Sequence, residues 1–376
     1  MKGLRYVYTA TFLFSLHLAL LSYVNSSMLG EFASPKIISL CYVLASSISI
    51  VGIFFAPRII ARIGAVRFTT SALSLSALLL WTISTVSSTG VLLAFILYFS
   101  LNAILVYSFD IFIEHYSQKG TTGNTRGVYL GLTNGAWVAM PFIAGLLLSN
   151  HSYVSLYSIG ACIILAVLLV VRITQRHYVD KAYTTIDAVA SFKQLISNPN
   201  LRRVTAVNFA VQFFFAWMVI YSPLYLSERG FTWQQLGIVF GCMLVAFPLT
   251  QYPAGRLADI YGEKKFLIKA LIVAATATML FALYGGTNLV IITAILFCTR
   301  AGIAVVEVAA DSYFFKHVSE SDTGVVSIYR TMAPLAYIIG PLSAAGIIAF
   351  SSYTVLYLIL AGILTLTALY SYRLTY

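Results

Sequence analysis

Twelve apolar runs of about twenty residues, each closed by Gly, Pro or charge, recur along the chain and restrict it to one solvent, the lipid bilayer. They fall at roughly 5–26, 36–57, 68–88, 91–114, 127–148 and 153–173, and again at 203–225, 234–255, 265–285, 288–314, 324–349 and 352–373. A hydrocarbon core of ~30 Å takes about 20 apolar residues to cross, and each crossing must be helical so that its backbone polar groups bond within the segment. With 60% hydrophobic and 9% charged residues, a soluble domain of this chain could not cover its own surface with polar groups. Lys2 and Arg5 before the first run imitate a secretory signal peptide, but eleven further runs make that segment span 1. The expected class is an all-α integral membrane protein with twelve spans.

One long polar connection, about 174–202, separates the two sets. It predicts an N-terminal six-helix bundle over 1–175, a cytoplasmic central loop over 176–202 and a C-terminal bundle over 203–376. Orientation follows from Lys and Arg, which are retained on the cytoplasmic side. Lys2, Arg5, Arg58, Arg62, Arg67, Lys119, Arg126, the central loop, Arg256, Lys264, Lys265, Lys316 and Arg373 fall on one side; Lys36 and Arg229 stand opposite. Both termini are then cytoplasmic, in an inner (plasma) membrane. The same bias explains the net charge of +11 without a nucleic-acid partner. In the loop, Ile186, Val189, Phe192 and Ile196 recur at helical spacing, as in a helix lying on the membrane surface. Cys41, Cys162, Cys242 and Cys298 sit inside apolar runs with no paired spacing, indicating neither disulfides nor a metal site.

The second half repeats the first. A shift of 198 residues places Arg5 on Arg203, Tyr23 on Tyr221, Gly64 on Gly262 and Arg67 on Lys265. With small gaps Asp110 falls on Asp311, Gly127 on Gly324 and Pro141 on Pro341. After span 8 the chain reads GRLADIYGEKK from Gly255 to Lys265. This resembles the loop signature of the Major Facilitator Superfamily, Gly-x-x-x-Asp-Arg-x-Gly-Arg-Arg: Gly255, Asp259, Gly262, Lys264 and Lys265 match, and Ile260 replaces the Arg. The copy between spans 2 and 3 keeps Arg62, Gly64 and Arg67, with Ala61 in place of the Asp and Pro57 in place of the first Gly. Glycine permits the tight turn, and Asp259 can meet the positive end of a neighbouring helix, so the segment reads as a conformational latch. The resemblance further implies that Arg62 pairs with Asp110 or Glu114, and that the protein is a transporter of two pseudo-symmetric six-helix bundles. Segments 136–145 (AWVAMPFIAG) and 336–346 (AYIIGPLSAAG) are similar to the superfamily's drug:proton antiporter motif, Gly-x-x-x-Gly-Pro-x-x-Gly-Gly, with Pro141 and Pro341 in register.

Span 10 carries RAGIAVVEVAADSYFFKH from Arg300 to His317. At ~1.5 Å per residue Arg300 lies about 18 Å below the outer end, with Glu307 two turns nearer the cytoplasm. A charge at such depth costs at least ~2.5–3.5 kcal/mol unless it faces a wet cavity or a partner. Arg300, Glu307 and Asp311 share one helical face and point inward. Arg300 with Glu307 is either a proton-coupling carboxylate tuned by its arginine or a permanent structural pair. Asp311 reads as partner to a loop base such as Arg256 or Lys264, with Arg330 of span 11 a further candidate for the same cluster. His17, Asn102, Asn208, Gln212 and Tyr221 are the polar residues expected at a substrate cavity lined by spans 1, 4, 7 and 10, although a lone His in an apolar helix is also an ordinary core residue.

Phosphate-cradling loops, His-Glu-x-x-His and any soluble cofactor domain are absent from the sequence, so no cofactor, metal or catalytic residue is expected. The resemblance therefore implies a monomeric secondary transporter driven by an ion gradient, its partners being a small organic solute, protons and lipid. Proton-coupled export leads on the antiporter-like motif. Uptake symport of a sugar, nucleoside or organic acid is the alternative, and a membrane-embedded enzyme or lipid-handling scaffold a remote one.

Overall fold

The structure is a computed structural model that describes residues 2–86, 89–116, 122–150, 152–176, 178, 188–318 and 323–375. Among these, the side chains of residues 2, 114, 122–128, 130, 150, 188, 252, 255–261, 323 and 324 are not described. Lys119 and Ile186 therefore lie outside it, as do the side chains of Glu114, Arg126, Arg256 and Asp259.

Fourteen helices account for the described residues: α1 (Lys2–Ser22), α2 (Asn25–Gly30), α3 (Pro35–Ile63), α4 (Ala65–Thr85), α5 (Gly90–Tyr116), α6 (Thr122–Asn150), α7 (Tyr153–Thr174), α8 (Ala188–Ser197), α9 (Pro199–Glu228), α10 (Trp233–Tyr261), α11 (Glu263–Leu283), α12 (Leu289–His317), α13 (Thr323–Phe350) and α14 (Tyr353–Ser371). Twelve of them, all but α2 and α8, are long and apolar enough to cross a membrane. Each falls on one of the apolar runs.

The helices overshoot the apolar runs in an informative way. α3 continues through Pro57 to Ile63, and α10 continues through Pro248 and Pro253 to Tyr261, so Arg62, Gly255 and Asp259 stand on helix and not in a loop. The tight turn expected of a glycine in this segment is made by Gly262, at φ 87°, and in the first half by Gly64, at φ 88°. A single left-handed residue reverses the chain, and only glycine adopts it without a Cβ penalty. The polar residues before it are free to remain helical.

The chain divides into two compact units, Met1–Thr185 with Thr232–Gly237, and Ile186–Phe231 with Ile238–Tyr376. In the first, α1 packs on α5, α6 and α7, while α4 packs on α5 and α7. In the second, α9 packs on α12, α13 and α14, while α11 packs on α12 and α14. The two patterns are one pattern, with α9 in the place of α1 and α11, α12, α13 and α14 in the places of α4, α5, α6 and α7. Hydrogen bonds hold the last span of each unit in a similar way: Tyr157 Oη of α7 donates to Asn25 Oδ1 of α2, just beyond α1, at 2.6 Å, and Tyr357 Oη of α14 meets Ser222 Oγ of α9 at 3.1 Å.

α9 is the core of the second unit, with Phe214, Trp217, Ile220 and Tyr221 inaccessible to solvent. Its N-terminus is capped by Asn198, whose Oδ1 accepts from the backbone N–H of Asn200 and Leu201. Small residues set the closest approach: a Cβ on Gly302 of α12 would lie 2.9 Å from Ala270 O and from Ala274 Cβ and N on α11. α8 packs on α9 and α13 through Leu195 and leaves Val189, Phe192 and Ile196 exposed, the amphipathic pattern read from the sequence.

Candidate functional site

The chemistry-bearing side chains gather inside the second unit, around α12. Positions 300, 307 and 311 fall on one face of that helix, and the neighbours that meet them come from α9, α10 and α13.

Arg300 is 3% exposed, and its guanidinium lies over three rings: Phe215 at 4.7 Å, Phe247 at 5.3 Å and Phe214 at 5.9 Å from the ring centroids. Such a cation over π faces gains roughly 0.5–1 kcal/mol at exposed sites and about 2 when desolvated. Glu307, two turns on, accepts a hydrogen bond from Gln251 Nε2 of α10 at 3.2 Å. The charged groups near enough to act on it are Asp311, Arg300 and Arg330. The described contacts of Arg300 and Glu307 thus run to different neighbours, rings for the one and a carboxamide for the other.

Asp311 meets α13. Tyr329 Oη donates to its Oδ1 at 2.7 Å, and Arg330 Nη1 stands 3.8 Å from its Oδ2. Among the described residues the base beside Asp311 is Arg330; of the two loop bases expected there, Lys264 stands on α11 and the side chain of Arg256 lies outside the described residues. Tyr329 is buried against Phe314 with ring centroids 3.8 Å apart. Its backbone oxygen accepts from Asn208 Nδ2 of α9 at 3.0 Å, and Asn208 Oδ1 accepts from Gln212 Nε2 at 3.4 Å. A polar chain therefore runs from Gln212 through Asn208 and Tyr329 to Asp311 and Arg330.

The remaining sequence candidates sort differently. Tyr221 is fully buried against Tyr353, and His17 is fully buried with Nε2 2.8 Å from Tyr98 Oη, so both stand in the helix-packing core and not on an open wall. Asn102, beside Tyr98 on α5, keeps a buried Oδ1 with no hydrogen-bond partner among the described residues. Arg62 and Asp110 are exposed on α3 and α5, which pack together. Gly262 makes the turn described above, and Lys264 is half-buried.

Three residues escaped the sequence reading. Gln251 is one polar residue within span 8 and Tyr329 one tyrosine of span 11, and nothing in the sequence ties either to a carboxylate on α12. Glu263 opens α11, is 5% exposed, and is bound by Lys316 and by Ser312 Oγ at 3.2 Å. Its counterpart in the repeat is Ala65, and that break in symmetry was the available signal. Among the described residues no group of three His, Cys, Asp or Glu could hold a metal.

Two six-helix repeats with a charged, amide-rich cluster inside one of them define a polytopic membrane transporter. The chain belongs to the Major Facilitator Superfamily, whose model matches residues 7–327 and again 234–376. It is a multi-pass membrane protein that moves a small molecule, not an enzyme. Similar solved structures are the nucleoside transporter NupG, at TM-score 0.78 and 14% identity over 100% of this chain and 99% of that one; an auto-inhibited POT family peptide transporter, at 0.79 and 10% over 100% and 98%; and a bacterial homologue of the human lysosomal transporter Spinster, at 0.76 and 14% over 100% and 98%. At these identities the likeness is one of fold. No curated protein sequence matches the chain.

Proposed function

We propose that this transporter exports a small amphipathic organic solute in exchange for protons by alternating access, with Glu307 as the coupling carboxylate. The observation that carries this reading is Glu307 itself: a half-buried acid on a membrane-spanning helix that accepts a hydrogen bond from a neutral carboxamide, Gln251. An acid so placed can gain or lose its proton without dismantling the packing around it. Export is supported by α6, where Pro141 and Gly145 occupy the antiporter-like segment. A Cβ at Gly145 would fall 2.6 Å from Gly237 Cα, so the small residue is required by a close backbone approach. The positive-inside charge pattern supports cytoplasmic termini in the plasma membrane.

Uptake symport of a sugar, nucleoside or organic acid is the second reading, favoured by the likeness to a nucleoside transporter and a peptide transporter. Proteoliposomes holding a pH dye separate the two. With no gradient imposed, solute added outside should alkalinise the lumen if protons leave in exchange, and acidify it if they enter with the solute. Solute entry with no change in lumenal pH refutes proton coupling in either form.

A further inference from the structure

Two carboxamides and two phenyl rings on α9 and α10 form a pattern of which the coupling role uses only Gln251. On α9, Gln212 and Phe215 are three residues apart; on α10, Phe247 and Gln251 are four apart, so each amide shares a helix face with a ring. All four are half-buried, as is Glu307. Gln212, Gln251 and Glu307 cannot face lipid at that depth without a cost of kcal/mol order, so the half-open face they share with the rings is a wet one. The rings lie 6.2 Å apart, tilted at 45°, with Arg300 over both of them. Gln251 is oriented by its bond to Glu307, and Gln212 by its bond to Asn208.

From this juxtaposition we infer that the second unit carries a binding site for a planar nitrogen heterocycle of the nucleobase or nucleoside type, stacked on Phe215 or Phe247 and hydrogen-bonded along its edge by Gln212, Gln251 and Glu307. A carboxamide places a donor and an acceptor side by side, the arrangement that matches the adjacent acceptor and donor on a base edge. Phenyl faces supply stacking that any base accepts. A sugar without a base would satisfy the amides and leave the rings idle, and a lipophilic cation would use the rings and the carboxylate and leave the amides unmatched. This assignment rests on the reading of the cluster as the transport site and holds for either direction of transport.

Full-length protein in nanodiscs should bind at least one of radiolabelled adenine, adenosine and uridine saturably, with ribose, glucose and tetraphenylphosphonium failing to compete. Phe247→Leu, Phe215→Leu and Gln251→Leu should each weaken that binding about tenfold, and a melting temperature kept within a few degrees shows that each variant is folded. If one variant does not fold, the other two carry the comparison. Competition by ribose, glucose or tetraphenylphosphonium as strong as by the base, no binding of any of the three heterocycles, or unchanged affinity in the folded variants overturns the assignment. If none of them binds yet another solute shifts lumenal pH in the proteoliposome assay, this inference falls and the transport reading stands; if one binds and moves without proton flux, the coupling reading falls and the binding site stands.

Discussion

Replacing Glu307 by Gln distinguishes a coupling acid from a structural counter-ion, and the structure supplies the expected size. A glutamine at 307 retains a side-chain oxygen that can accept from Gln251 Nε2, so that hydrogen bond survives in neutral form. Arg300 keeps its contacts with Phe214, Phe215 and Phe247. The expected loss is the charge-assisted part of one hydrogen bond, about 1 kcal/mol, or a fall in melting temperature of about 2–4 °C. Had Glu307 been the buried arginine's indispensable partner, its loss would cost ~3–5 kcal/mol. The assay compares solute exchange with proton-driven accumulation in a single preparation of Glu307→Gln. Exchange needs no net proton movement and should persist, while driven accumulation should fall to background. Driven, pH-dependent accumulation at wild-type level removes Glu307 from the coupling role. A large drop in melting temperature together with loss of both modes shows instead that the acid is structural.

Four further outcomes are expected. Gly302→Ala pushes a Cβ to within 2.9 Å of the α11 backbone and should destabilise by ~1–3 kcal/mol, read as a lower midpoint in thermal denaturation. Tyr157→Phe leaves Asn25 Oδ1 buried without its donor and should cost ~1–3 kcal/mol, more than Tyr357→Phe, whose partner Ser222 also lies 3.5 Å from Met218 Sδ; equal midpoints for the two variants would contradict this. Asp259→Asn should insert and fold normally yet reduce transport by weakening cytoplasmic closure, and normal transport with normal labelling by cytoplasmic cysteine probes would count against a latch. Tags on both termini should be reachable only from the cytoplasm, and a reporter at Gly230 only from outside; one external terminus would upset the charge argument.

The scaffold was legible because its signals are local. A run of about twenty apolar residues has one stable form in a bilayer, whatever its neighbours do. The repeat announced itself through Gly64 and Gly262 for the same reason: a left-handed turn constrains the residue that makes it. The candidate site belongs almost wholly to one half, and the repeat marks this too. Arg300, Glu307 and Gln251 stand where the first half has Phe99, Val106 and Ile53. Of the three charged positions on one face of α12, only Asp311 has a charged counterpart, Asp110.

From the sequence alone came the twelve spans, the two halves, and the depth at which Arg300 and Glu307 must be accommodated, since hydrophobic length and helical rise are properties of a single segment. Which groups accommodate them was decided only in three dimensions. Three phenyl rings around Arg300, Gln251 on Glu307, Tyr329 with Arg330 on Asp311, and Lys316 on Glu263 all join one helix to another. The same holds for His17 and Tyr221, polar residues that seemed suited to a cavity and are instead enclosed by packing. A helix face shows which residues point together; the register and rotation of the neighbouring helix, fixed by close contacts such as Gly302 against Ala270 and Ala274, decide what they meet.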